Sequence, residues 1–275
     1  MSMMADIRED LAHTALSVRY ELLKHMRRTR LFIALSLAIV IPILFYIIPK
    51  VANVSFSSTA DGYMSNIYSF GSFLIIISAA LFAGDAVSGE FESKTALLTL
   101  STPQRRTSIF IGKYVAALMA VFTIVTLYYL VGVFEVVGIY GASNVPIVTM
   151  RSYLLALLYS TAVLSLTFWF SSVVKGTMAS TLLSFFGLIM ILPIVSSLMM
   201  VAKVEPWFIV TYSAGLITDV FLQPGLAGGG GGGGGPPEAF TSYSPQFTTG
   251  VEVMAAYAII FFIIAIILST RRDVE

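Results

Sequence analysis

The sequence predicts an all-α integral membrane protein. It has six transmembrane helices, an amphipathic N-terminal helix lying in the membrane interface, and a short helix in the polar loop between the second and third spans. Three observations predict this class. Hydrophobic residues make up 57% of the 275 residues and charged residues 11%, with a mean hydropathy of +0.89, whereas a soluble domain runs near half apolar and a quarter charged. Apolar runs near the length needed to cross a hydrocarbon core, about 20 residues, recur six times. Lys and Arg in the segments between them fall almost all on one side.

Residues 1–30 form the N-terminal helix. Ile7, Leu11, Ala15, Val18, Leu22 and Met26 recur at steps of three and four, which puts them on one helical face. Arg8, Glu9, Glu21, Lys24 and Arg28 lie away from it. Such a helix rests in the interface with its basic end against lipid headgroups. The transmembrane domain is residues 31–275, with spans at 31–49, 67–83, 114–134, 152–174, 176–202 and 253–270. The second is short, and the uncharged residues Gly62 to Asn66 are available to extend it. Lys175 alone separates the fourth from the fifth, so a tight turn sits at the membrane surface; fused, the two would be too long for a bilayer even when tilted. The first span starts too late and runs too long for a cleaved signal peptide, and no small-residue cleavage site follows it.

With the N-terminus inside, thirteen of the sixteen Lys and Arg residues are cytoplasmic, and Lys50, Arg151 and Lys203 are the three outside. A bias of that size predicts a multi-pass membrane protein with both termini in the cytoplasm, and the plasma membrane is the expected location.

The loop 84–113, GDAVSGEFESKTALLTLSTPQRRTSIFIGK, is the sizeable charged interruption on the cytoplasmic side. Glu90 to Leu100 combines helix formers with apolar Phe91, Leu97, Leu98 and Leu100 beside Glu90, Glu92 and Lys94. Thr102-Pro103 then supplies an N-cap and a proline at the first helical position. A second helix runs from there through Arg105, Arg106 and Lys113 into the third span. A helix, a corner and a basic re-entry with apolar anchors suit docking into a partner's groove. The long external loop is 203–252. Its segment Trp207 to Phe221 is too short to span and reads as a re-entrant or interfacial helix pair broken near Gly215. Gly228 to Gly235, followed by Pro236-Pro237, lacks the Lys and the strand–helix setting of a phosphate loop and reads as a flexible linker.

No predicted span carries a charge in its interior, which argues against an ion-coupled carrier or a pump with its own ion site. Glu135, at the outer end of the third span, is the candidate external gate; an interfacial carboxylate is more often simply solvated. There is no cysteine, so disulfides and thiolate chemistry are excluded. His13 and His25 both lie in the N-terminal segment, away from any intramembrane protease or hydrolase site. No P-loop motif occurs, so the chain does not hydrolyse ATP by that route. A net charge of +1 leaves no nucleic-acid footprint. No catalytic residue, metal or bound cofactor is expected.

Two stretches resemble the ABC-2 type permeases, the membrane subunits of ATP-binding-cassette transporters. One is RYELLKHMRRTRLFIAL, residues 19–35. The other is the loop, through Gly84-Asp85, Gly89-Glu90, Thr95 with Leu97 and Leu98, Pro103, Arg106 and Gly112-Lys113. The six-span plan and the long external loop before the last span are similar too. Lys94 stands where the family often has a small residue, and the glycine tract is foreign to the pattern. The resemblance implies that two permeases, copies or paralogues, pair in the bilayer, and that each docks a cytoplasmic ATPase using ATP and Mg²⁺. It implies a coupling helix carrying Glu90, Phe91, Glu92, Thr95 and Leu98, with Pro103 at the corner and Arg105, Arg106 and Lys113 holding the exit at the headgroups. The N-terminal helix would brace it. The expected function is the permease subunit of an ATP-driven exporter. A non-transporting anchor or assembly factor accounts equally for a docking loop, and a secondary carrier is a third reading.

Overall fold

The computed structural model describes residues 2–93, 105–222 and 243–271, with side chains from residue 13 onward. Thr95, Leu98, Pro103 and the tract Gly228 to Gly235 lie outside the described residues. Secondary structure is helical, with no strand among the described residues. Six helices are long and apolar enough to cross a membrane: Thr29–Val51, Ala60–Glu92, Arg106–Tyr140, Thr149–Val173, Thr177–Val201 and Phe247–Arg271. The protein is therefore an all-α integral membrane protein with six spans.

Several spans are longer than their apolar runs. Helices continue past the hydrocarbon-like stretch wherever flanking polar residues find partners. The second span starts at Ala60, where the Thr59 hydroxyl accepts from the Gly62 amide at 3.2 Å and caps the helix. Its first turns then bury Tyr63, Met64, Ile67 and Tyr68. The third span starts at Arg106 and takes in Lys113. It ends where Gly141 adopts φ +90°, a conformation that stops a helix and favours glycine.

The second, third and fourth spans form the centre. Their apolar windows are 61%, 44% and 67% buried, against 17%, 22% and 17% for the first, fifth and sixth. The first span packs on the third, the sixth runs along the fourth, and the fifth leans on the second and fourth. Buried tyrosines tie the central spans, because a phenol in a dry interior needs a partner for its hydroxyl. Tyr128 donates to the Ile67 carbonyl at 2.5 Å, and Tyr68 donates to the Tyr129 carbonyl at 3.2 Å while its ring stacks on Tyr129 at 4.0 Å. Ser152, paired with the Tyr129 hydroxyl, donates to the Ile217 carbonyl at 2.6 Å. Ile217 belongs to the second of two short helices, Val210–Ser213 and Leu216–Leu222, which are separated at Gly215. The second of these helices packs against the second and fourth spans.

The N-terminal helix, Ser2–Arg27, lies along the start of the third span. The face it buries is polar. Glu21 and His25 are 7% and 8% exposed, whereas Leu16, Tyr20, Leu23 and Met26 are 48% to 69% exposed. This differs from the apolar stripe read from periodicity: Ala15 and Met26 of that stripe are exposed, and the side chains of Ile7 and Leu11 fall outside those described. The reason lies across the interface, where the third span presents a cation.

Candidate functional site

The second span continues as a helix to Ala83, turns through Gly84 to Val87, and resumes as a short helix, Ser88–Glu92. The start of that short helix has open backbone donors. Ser171 of the fourth span satisfies two of them: its hydroxyl oxygen accepts from the Val87 and Ser88 amides at 3.0 and 3.2 Å. The segment is thus held at a defined place against the bundle rather than left as a free connector.

Two ion-pair nodes converge here. In the first, Lys113 lies 2.6 Å from Glu21 of the N-terminal helix and 2.5 Å from Glu90 of the short helix. Lys24 also approaches Glu21, at 3.2 Å. The Lys113 residue is 4% exposed, and a cation so buried is tolerated only with carboxylates in contact. One lysine therefore joins three helices. Its neighbour Gly112 explains how the N-terminal helix gets close enough. A Cβ on Gly112 would sit 2.6 Å from the Ser17 Cβ and 3.3 Å from the Val18 amide nitrogen.

In the second node, Asp85 accepts from Arg30 at 2.6 Å and pairs with Arg28 at 3.5 Å. Arg30 also donates to the Leu81 carbonyl at 3.2 Å. Arg30 opens the first span and Asp85 closes the second, so this node ties the two together. Charge-assisted hydrogen bonds of this kind are short and directional. Between the nodes lies a cavity of about 920 Å³, lined by Arg19, Tyr20, Glu21, Asp85, Glu90 and Lys113 among others.

Two titrations follow from the packing. Burial pushes the Glu21 carboxyl upward, but Lys113 and Lys24 outweigh it and hold the group below the usual carboxylate range. His25 packs edge-on against Phe82 at 5.2 Å, and burial lowers its pKa to about 4, with Glu21 and Asp85 opposing the shift and Arg28 and Lys24 adding to it. An unfolded His titrates near 6.5, so the folded form binds fewer protons between those values. Stability is then full above pH 6.5 and falls as pH drops towards 4, by up to about 3 kcal/mol. Glu21 acts in the same direction only below the ordinary carboxylate value. Unfolding measured from pH 7.5 to 5 is expected to show this loss, and His25→Phe is expected to flatten the profile.

The residues predicted from the sequence separate into different environments. Glu90 belongs to the first node. Phe91 is half-buried against the core. Glu92 turns the other way, and its carboxylate accepts from the Thr177 amide at 2.5 Å. Arg106 donates to the Thr270 carbonyl of the sixth span at 3.5 Å. Lys113, read from the sequence as a headgroup anchor, is a buried ion-pair centre instead. Glu135, at the opposite end of the bundle, accepts from the Tyr63 hydroxyl at 3.0 Å, and its other oxygen is buried without a hydrogen-bond partner among the described residues. Sequence reasoning did not assign Glu21, Arg28, Arg30 or Ser171 to the site. The available signal was the Gly112-Lys113 pair at a helix entry and an aspartate directly after an apolar span. Among the described residues, no group of three or more His, Cys, Asp or Glu side chains is placed to hold a metal.

Comparison with known families places this site in context. Residues 17–208 match the family described as ABC-2 family transporter protein. That stretch begins within the N-terminal helix, contains both ion-pair nodes and takes in the first five spans. No curated protein matches the chain.

Proposed function

The chain belongs to the ABC-2 family of transporter proteins and is a membrane permease of an ABC transporter, and from that premise we propose that it is the transmembrane subunit of an ATP-driven exporter whose engine is a separate cytoplasmic ATPase. The end of the bundle carrying Lys113 faces the cytoplasm, in keeping with the thirteen-to-three distribution of basic residues. Two permeases pair, and each receives one ATPase at residues 84–113. The ATPase binds and hydrolyses ATP with Mg²⁺; this chain supplies the path.

The observation that carries the reading is the buried contact of Lys113 with both Glu21 and Glu90. A loop that merely connected two spans would have no need of a cation 4% exposed at its exit. A loop that is pushed does, because displacement of the short helix must reach other elements through contacts that do not slip. Here Glu90 is linked through Lys113 to the third span and the N-terminal helix, and Asp85 is linked to the start of the first. Force on residues 84–92 thereby reaches several helices together.

The test is co-purification with the ABC ATPase. Phe91→Asp with Leu98→Asp is expected to abolish the complex and the ATP-driven transport it supports, while the permease still inserts. A normal complex with normal transport would overturn the docking assignment. A complex that forms in the wild type but whose ATPase responds to no compound and moves none would instead point to an anchor or assembly factor.

A further inference from the structure

The fifth span is tied to the loop segment by contacts that neither ion-pair node includes. Its N-terminus follows Lys175-Gly176, and Gly176 at the cap position has no side chain with which to accept from the first amides. Glu92 fills that role from 85 residues away, accepting from the Thr177 amide at 2.5 Å. One turn on, Ser180 is fully buried and donates to the Gly84 carbonyl at 2.7 Å. At Gly84 the backbones are so close that a Cβ would sit 3.1 Å from the Thr181 Cα. Residues 84–92 therefore touch the fifth span at its start and along its first turn.

Beyond this grip the fifth span changes character. Its regular α-helix ends at Phe186, and Gly187–Ile191 form a π turn in which the Leu192 amide donates to the Gly187 carbonyl. Pro193 follows directly. A proline in a helix removes one amide donor and crowds the carbonyl four residues back, and the wider π turn relieves both. Past this point, in Leu192–Val201, only Ser196 is buried. The near arm is clamped, the far arm is barely packed, and the joint between them is an irregular turn.

We propose that Glu92 is a positioning residue that clamps the near arm of the fifth span to the loop helix, so that movement of residues 84–92 swings the far arm about the Gly187–Pro193 turn. This rests on the reading that an ATPase pushes residues 84–113, and adds which span receives the push and through which atoms.

Thr177→Pro isolates the contact. It deletes both the amide and the hydroxyl of residue 177 that Glu92 accepts from, while proline at the first helical position suits the helix, and Gly176 already has the extended backbone, φ −94° and ψ 134°, that precedes proline. The chain has no cysteine, so Ile147→Cys and Val201→Cys, at exposed positions, carry spin labels in the permease–ATPase complex. ATP is expected to change the 147–201 distance. Thr177→Pro is expected to shrink that change at least threefold with the ATPase still bound and hydrolysing. Glu92→Ala should shrink the change equally, and the double variant should add nothing. An undiminished change, or losses that add, would overturn the clamp, as would a wild-type complex whose distance ignores ATP. Failure of the ATPase to bind at all would overturn the reading beneath it. In the permease alone, Glu92→Ala is expected to speed Thr177 amide exchange about tenfold, and an unchanged rate refutes the clamp without any partner.

Discussion

Lys113→Met is expected to destabilise the protein by about 3–5 kcal/mol, the range for breaking a buried ion pair from one side. The substitution keeps the length and the apolar stem of the side chain but removes the charge. It leaves Glu21 and Glu90, which both contact the ammonium within 2.6 Å, facing each other as two anions, with Lys24 3.2 Å from Glu21. Water would enter between the N-terminal helix and the short helix, or one carboxylate would take up a proton. Unfolding in detergent reads the loss, and the pH dependence identifies its cause: His25 is present in both proteins, so the gap between variant and wild type should narrow on mild acidification, where protonation removes the like-charge repulsion. The triple change Lys113→Met, Glu21→Gln, Glu90→Gln should recover much of the loss, because the two carboxylates left facing each other are gone and Lys24, a third exposed, is solvated. If the single and triple variants are equally unstable, Lys113 acts through packing and not through charge.

Gly112→Val is expected to detach the N-terminal helix. Even a methyl group here would meet the Ser17 Cβ at 2.6 Å and the Val18 amide nitrogen at 3.3 Å. The second of these is backbone and cannot rotate away. Overpacking of this kind costs about 1–3 kcal/mol, and the helix moves to relieve it, drawing Glu21 away from Lys113. Protease access to residues 2–27 is the direct readout, with faster cleavage expected in Gly112→Val and a smaller effect in Gly112→Ala. Equal cleavage of wild type and valine variant would mean that the helix does not rest on the third span at that point.

These two residues also mark how far the sequence reading reached. Six spans were legible because the need for about 20 apolar residues is a property of the bilayer and leaves a long, simple trace. The break at Gly215 was legible for a similar local reason. Lys113 was read as a headgroup anchor because a lysine beside an apolar run ordinarily reaches for water, and nothing local names Glu21, 92 residues earlier, as its partner. The inward face of the N-terminal helix was misjudged for the same cause. Periodicity ranks faces by hydrophobicity, but the decisive neighbour was a charge. Ser171 and Ser180 lie inside apolar segments, where a hydroxyl carries no indication of the carbonyl or amide it will meet. The loop stood out in the sequence as a charged interruption between apolar spans, whereas its grip on the first, third, fourth and fifth spans is tertiary information.

The central claim is that a cytoplasmic ATPase pushes on residues 84–113. Its most direct test is a photocrosslinker at Ser93→Cys, an exposed position at the end of the short helix, the label resting on the one introduced cysteine of an otherwise cysteine-free chain. In the complex with its ABC ATPase, a crosslink from residue 93 to the ATPase subunit is expected, weakening when ATP changes the ATPase conformation. Crosslinks from residue 93 to lipid or to the permease alone, in a complex that still transports, would contradict the account.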